Sequence, residues 1–310
     1  MKRAIGTVLF FATAFTLLYL SGNKTDVMTD AVRDAAGVNH VTIGGVTTAY
    51  EMAGSGTEGT VVLIHGANGP GFVWDENVAA LQAAGLRTLR YDIAGRGYSG
   101  RYDDAAYDLD FYIAQLHALL QHLAPDAPVH LVGSSMGAII AAEYAARNPD
   151  RVGRVVLVGP AGFPINNFAA NFVRVPLLSD YIMHALGDRL ILKANIEYFH
   201  DPETPDAARF LERAENLMRY RGLKPAMLAT MRRMPMQDFA DGYARLNAAN
   251  KRVLLIWGRE DKTFAFTHST RALELMPAAE LFPVDNSAHL PMYEQAGAVN
   301  GKLVEFLVTR

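Results

Sequence analysis

Residues Val129 to Ala142 constrain this chain more than any other stretch. Val129-His130-Leu131-Val132 reads as a strand, Gly133-Ser134-Ser135-Met136-Gly137 as a turn, and the small residues that follow as a helix. A chain that passes from strand to helix through Gly-x-Ser-x-Gly bends sharply and lifts the middle residue above the sheet edge. Ser135 is that residue. A Cβ at Gly133 or Gly137 would collide with the neighbouring strand or helix, so glycine is expected at both. The bend leaves the Ser135 hydroxyl free to reach a carbonyl carbon. It also asks for a sheet whose strands alternate with helices, because the helix after the turn must pack back on the sheet.

That alternation runs on both sides of the turn. His40–Ile43 and Val46–Met52 alternate with period two around Gly44-Gly45, a two-residue hairpin turn. Thr60–Ile64 is a continuous apolar, β-branched run, the mark of a strand buried on both faces. Helical patterns over 72–84 and 107–123 flank a strand at 86–91, and Arg154–Val158 is the strand after the Ser135 helix. The expected class is α/β, a doubly wound, mostly parallel sheet with right-handed crossovers. From about Phe163 to Asn250 the strands stop. Segments 173–186, 189–199, 207–220, 224–234 and 239–246 carry helical patterns separated by Pro, Gly and Asp. We read residues 163–250 as a helical cap inserted into a core of residues 39–162 and 251–310. Met231, Met234 and Met236 are its candidates for lining an apolar pocket. Strand patterns resume at 252–257 and 280–284, with helices at 264–275 and 292–307.

At the N-terminus, Lys2 and Arg3 precede an apolar run from Ala4 to Leu20, at the low end of the roughly 20 residues that span a bilayer. A cleaved signal peptide with Ala12-Thr13-Ala14 as its site is one reading. Phe15 to Leu20 continue the run past that site, which favours an uncleaved signal anchor over residues 1–20. Either reading places the catalytic domain outside the cytoplasm, membrane-anchored or secreted. The anchor predicts membrane association through residues 4–20. Residues 21–38 are polar and read as a linker. Net charge is −3, with no basic stripe of the kind nucleic acid needs, so no nucleic-acid partner is expected. The absence of cysteine excludes disulfides, thiolate metal sites and a cysteine nucleophile. The loop from Asp92 to Ser99 has neither glycine pattern of a nucleotide cradle and reads as a tight connection braced by Asp92 and Arg96. No His/Asp/Glu cluster has ligand spacing. No cofactor and no metal are expected.

A serine hydroxyl needs a base to take its proton, and the base needs a carboxylate to hold its tautomer. Of the nine histidines, only His289 sits in a short loop after the last strand, on the carboxyl edge that carries Ser135. Asp261 follows the preceding strand. Glu260 is the rival acid, whereas Asp285 reads as a turn cap. Gly159-Pro160-Ala161-Gly162, after the Arg154–Val158 strand, offers no acid. Backbone N–H groups must hold the negative charge that develops on an attacked carbonyl oxygen. Met136, next to Ser135, supplies one. The loop His65-Gly66-Ala67-Asn68 supplies the other, from Ala67 with Asn68 as the near alternative. His65 reads as structural, holding its loop by a side-chain hydrogen bond.

Together, His65-Gly66, Gly133–Gly137, Trp257–Asp261 and Asn286-Ser287-Ala288-His289 resemble the capped α/β-hydrolases over about residues 40–308. The resemblance implies a Ser135–Asp261–His289 triad, an acyl-enzyme intermediate and, by default, hydrolysis of a small apolar carboxylic ester. A short- or medium-chain acyl ester, or a lipid-like one, would suit the apolar cap. Ser135 in place of Asp argues against epoxide hydrolases and haloalkane dehalogenases. Gly69-Pro70-Gly71 and Ser135-Met136-Gly137 also resemble the carbon–carbon bond hydrolases of ring-cleavage pathways. Those typically have Asn where this chain has Ser134 and Trp where it has Leu290. A non-catalytic binding module of the same fold is the remaining alternative.

Overall fold

The computed structural model describes residues 13–124, 128–165, 173 and 175–309. Eight strands form one sheet: β1 (Asn39–Ile43), β2 (Val46–Ala53), β3 (Thr60–Ile64), β4 (Arg87–Tyr91), β5 (Val129–Ser134), β6 (Val152–Val158), β7 (Arg252–Gly258) and β8 (Glu280–Val284). Their order is β1-β2-β4-β3-β5-β6-β7-β8. The β1–β2 hairpin closes at Ile43 opposite Val46, and β2 lies antiparallel on β4. Every other neighbouring pair is parallel. The sheet reverses direction of winding at β3, whose five residues are all buried. Covering a branched aliphatic on both faces stabilises the fold by about 1.5–3 kcal/mol per side chain, so Val61, Val62, Leu63 and Ile64 anchor the centre.

Helices α2 (Asp75–Ala83), α3 (Leu109–Leu123), α4 (Met136–Arg147), α9 (His268–Leu275) and α10 (Ala296–Val308) cover the two faces, and α1 (Asp30–Ala35) precedes the sheet. Among the described residues, four helices lie between β6 and β7: α5 (Leu178–Ile196), α6 (Pro205–Met218), α7 (Leu223–Arg233) and α8 (Ala240–Ala248). Helix α5 runs unbroken through Gly187-Asp188, where the sequence pattern suggests two helices. A Cβ at Gly187 would stand 2.8 Å from both Met183 Sδ and Lys224 Cδ. The glycine is therefore a crossing point for α7 within one helix, and tertiary packing overrides its low helix propensity.

Residues 21–38 are tied to both the core and the cap helices. Arg33, 3% exposed, donates from Nε to the Tyr98 carbonyl at 2.6 Å and so fastens α1 to the loop after β4. Asp26 bridges to Tyr220 on the cap side, and the Arg221 N–H donates to the Asp26 carbonyl at 2.8 Å. Of the apolar run, residues 4–12 lie outside the described residues and 13–21 are helical. Among the described residues no helix is long and apolar enough to cross a membrane.

Candidate active site

The bend at Ser135 is as sharp as the motif demands. Ser135 has φ 54° and ψ −117°, a conformation that costs a non-glycine residue energy and is held by its neighbours. Its N–H donates to the Val158 carbonyl at 2.9 Å, and its own carbonyl accepts from Ala138 at 3.0 Å and Ala161 at 3.2 Å. A Cβ on Gly133 would overlap the Gly137 carbonyl, and one on Gly137 would overlap the Ile64 carbonyl of β3. Strand, turn and helix are thus locked at van der Waals distance. The first N–H groups of α4 have no acceptor within the helix, which leaves the Met136 N–H at the mouth of the turn.

The structure brings Ser135, Asp261 and His289 together at the carboxyl ends of β5, β7 and β8. His289 Nδ1–H donates to Asp261 Oδ2 at 2.8 Å, with both side chains buried. A carboxylate only accepts, so this bond places the proton on Nδ1 and leaves the Nε2 lone pair for the serine side. The other oxygen of Asp261 accepts from the N–H groups of Thr263 at 2.8 Å and Phe264 at 2.9 Å. Both oxygens are therefore engaged, one by the backbone that fixes the carboxylate and the other by the imidazole. Nε2 is buried and makes no hydrogen bond in this arrangement. It lines a cavity of about 10 Å³ together with Ser135, Gly66, Ala67, Asn68 and Tyr198. That is room for about one water. Catalytic hydrogen bonds often tighten only once substrate is in place.

Glu260 and Asp285 have other work. Glu260 accepts from the Ser287 N–H at 3.0 Å and so braces the loop that carries His289. Asp285 pairs with Arg259 at 2.6 Å on the surface, not with His289.

The loop at 65–71 is built rigidly. His65 is fully buried, and desolvation holds its pKa down to about 3. Its neutral ring donates from Nδ1 to the Gly66 carbonyl at 2.6 Å and accepts on Nε2 from the Ile93 N–H at 2.8 Å. Asp92 accepts from Gly71 and Tyr98 N–H groups, each at 2.7 Å. Arg96 Nε donates to the Ala67 carbonyl at 3.0 Å, which orients the Ala67 peptide. Gly66 lies over the serine, with the position of a Cβ only 3.0 Å from Ser135 Cβ. Ala67 and Asn68 both line the cavity.

Three features of the site lack a sequence signal of their own. Gly159, at φ 48°, leaves space where a Cβ would stand 3.3 Å from both Asp261 Oδ2 and His289 Nδ1. Tyr198, from the cap, packs its ring tilted at 48° with its centroid 4.8 Å from that of His289, and its carbonyl accepts the His289 N–H at 2.9 Å. Glu294 accepts from Ala288 N–H at 2.7 Å and Ser287 Oγ at 3.1 Å on one oxygen, and from His200 N–H at 2.6 Å on the other. Burial pushes the Glu294 carboxyl above its ordinary range. The methionines nearest the site are also not those expected. Met218 and Met227 line a cavity beside Asn68, whereas Met234 packs in the main core and Met231 faces solvent.

A serine on a strained strand–helix turn, its histidine and acid on the next strand ends, and a helical cap over them define the α/β-hydrolases. The chain belongs to the alpha/beta hydrolase family, whose model matches residues 61–302. It is 30% identical over 263 residues to a 2-hydroxy-6-oxononadienedioate/2-hydroxy-6-oxononatrienedioate hydrolase of Dechloromonas aromatica, covering 83% of this chain and 89% of that one. A hydrolase of the same description from Burkholderia vietnamiensis is 31% identical over 267 residues, covering 83% and 90%. Among solved structures, a bromoperoxidase from Bacillus anthracis matches with a TM-score of 0.76 at 23% identity, covering 88% of this chain and all of that one. The last shows the fold alone.

Proposed function

We propose that this enzyme is a serine hydrolase that cleaves a carbon–carbon bond beside a ketone. Ser135 is its nucleophile, His289 its base and then acid, and Asp261 the group that holds His289. The observation that carries the catalytic part is the buried His289 Nδ1–Asp261 Oδ2 bond, with His289 and Ser135 lining one small cavity. The relatives of about 30% identity, named for hydrolysis of oxo-dienedioates, support the bond type.

The chemistry follows from the placement. His289 Nε2 takes the Ser135 proton as Oγ attacks the ketone carbon, and the oxygen takes the negative charge toward the Met136 and Ala67 N–H groups. Collapse of that tetrahedral centre breaks the carbon–carbon bond. The electron pair leaves on carbon only if a second, conjugated carbonyl delocalises it, and His289 returns the proton to that fragment. Water, activated by the same histidine, then frees the acid from Ser135. Ester cleavage uses the same steps with an alkoxide as the leaving group.

A specific observation favours the ester as a second reading. Ser134 and Leu290, which depart from the Asn and Trp typical of ring-cleavage hydrolases, both line the Ser135 cavity. A panel of a vinylogous 1,5-diketone acid and p-nitrophenyl acyl esters decides between them. We expect kcat/KM for the diketone to exceed that for every ester. The reverse order selects the ester. Turnover of either class by Ser135→Ala at the native rate sinks both.

A further inference from the structure

Among the described residues, every exposed large hydrophobic side chain belongs to residues 15–27 or to residues 175–231, and none to the sheet core. Leu177 is 84% exposed, Leu17 62% and Phe15 57%. The two stretches meet, because the helix at 13–21 lies on α5. Tyr181 Oη donates to the Phe15 carbonyl at 2.7 Å, and the two rings lie 5.5 Å apart. Tyr19 stacks on His184 at 4.1 Å. Just past this helix the chain is pinned to the cap. A Cβ on Gly22 would overlap the His184 carbonyl. Lys224 Nζ donates to the carbonyls of Gly22 at 2.8 Å and His184 at 2.7 Å, and Lys24 pairs with Asp188 at 2.8 Å. Leu177 stands one turn before Tyr181, whose N–H donates to its carbonyl at 2.9 Å. Tyr19 and Leu177 line one groove of about 390 Å³ with Tyr181, Met183 and Leu228.

What covers such a face follows from its shape. Leu17, Leu18, Tyr19 and Leu20 are successive positions, all exposed. At about 100° per residue they span about 300° of the helix circumference. A protein groove receives one stripe of a helix, whereas lipid surrounds it. These four residues also end the continuous apolar run from Ala4 to Leu20. The chain then turns polar at once, through Ser21, Asn23 and Lys24. The rings of Tyr19, Tyr181 and His184 lie at that change, where amphipathic rings sit in a membrane–water interface.

We propose that the helix at 13–21 and residues 175–178, at the start of α5, form one face that docks on a lipid bilayer. Membrane contact through residues 4–20 alone would leave the catalytic domain on a tether. Here Val175, Leu177 and Leu178 meet the same lipid, because the bonds at Tyr181 and Gly22 leave no slack between helix and cap. The membrane then holds the cap itself. At its far end α5 leads to Tyr198 in the Ser135 cavity, so one helix joins the lipid surface to the site.

The chain has no cysteine, so single-cysteine variants of the full chain take one nitrobenzoxadiazole label each. Leu177→Cys and Leu178→Cys report on the cap, Leu17→Cys on the apolar run, and Arg271→Cys on the exposed surface of α9. Each is reconstituted with phosphatidylcholine vesicles, with and without a nitroxide on the acyl chain. We expect the nitroxide to quench the labels at 177 and 178 at least about threefold, as for groups buried about 5–10 Å into the headgroup boundary, and to leave the label at 271 unchanged. Quenching at 17 with none at 177 or 178 would leave a tethered domain and overturn the docked cap. Shielding of the label at 177 from water without quenching by the lipid nitroxide would put a second copy or another protein on this face, which overturns it too. Neither readout depends on turnover or on the serine chemistry.

Discussion

Asp261→Asn isolates what the acid does, because the substitution keeps shape and changes only charge and donor pattern. Asp261 Oδ1 accepts from Thr263 and Phe264 N–H groups, and the amide oxygen of the substituted side chain can keep both bonds. The amide nitrogen then falls where Oδ2 now accepts from His289 Nδ1, at 2.8 Å. An NH₂ group there must donate, so Nδ1 must become the acceptor and the imidazole proton moves to Nε2. That nitrogen can no longer take the Ser135 proton. The expected loss in kcat is about 10⁴-fold, as for a triad histidine held in the wrong tautomer, or about 5 kcal/mol of transition-state stabilisation. The fold should be little affected, since the backbone bonds survive and no volume changes. The assay is turnover of the best substrate, with fluorophosphonate labelling of Ser135 as a second rate that needs the same base. Both should fall together at an unchanged melting temperature. Glu260→Gln is the control, because Glu260 touches only the loop backbone at Ser287, and it should cost less than about tenfold, the value of one peripheral hydrogen bond. If Asp261→Asn retains a tenth of native turnover, or if Glu260→Gln costs more than Asp261→Asn, Asp261 is not the group that orients His289.

Two further outcomes follow from measured distances and burial. Gly159→Ala should lower kcat by up to about tenfold, since a Cβ 3.3 Å from Asp261 Oδ2 and His289 Nδ1 makes the pair give by a fraction of an ångström, and a misplacement of about 1 Å costs roughly a hundredfold. The positive φ adds roughly 1–2 kcal/mol of strain, so thermal unfolding should shift down by only a few degrees, and native turnover in this variant would contradict the geometry. His65, held down to about pKa 3 in the fold, binds its proton more readily when unfolded. Its contribution to stability is therefore fully present above about pH 6.5 and lost as pH falls toward about 3, an effect on the order of several kcal/mol. Urea midpoints measured from pH 7 to pH 4 should fall more steeply in the native protein than in His65→Gln, and parallel slopes would show that His65 is not the group responsible.

Much of the site was legible because it obeys local rules. A strand, a glycine turn and a small-residue helix place Ser135, and the strand ends of an alternating sheet place Asp261 and His289. His65 and Asp92 brace their loops within a few residues or one strand away, and such short-range bonds leave traces in composition. The cap was less legible. Gly187 reads as a break because its role depends on Lys224, which is distant in sequence and crosses there. Met231 and Met236 attract notice by clustering, yet Met218 and Met227 line the void beside the site, because helix rotation decides which side chains face inward. Tyr198, Glu294 and Asn195 carry no motif. Their positions follow from how α5 ends against the His289 loop and packs over Arg96, which only the folded chain determines.

Those unread residues give the cap a part in the chemistry beyond covering it. The His289 N–H is held by the Tyr198 carbonyl, just past the end of α5. Glu294 joins the His200 N–H to Ala288 and Ser287, the two residues before His289. Two hydrogen bonds thus tie the cap to the histidine side at one corner, His289 N–H to the Tyr198 carbonyl and His200 N–H to Glu294. The cavity at Ser135 holds about one water, so a larger substrate needs its walls to part. A motion that pivots on this corner keeps His289 in place while the far side, over Arg96 and Arg101, opens. A motion that breaks it releases the histidine loop and disarms the serine. The buried Glu294 carboxyl, accepting from both sides, makes the first motion the cheaper one, because breaking the corner leaves several buried polar groups unmet at once.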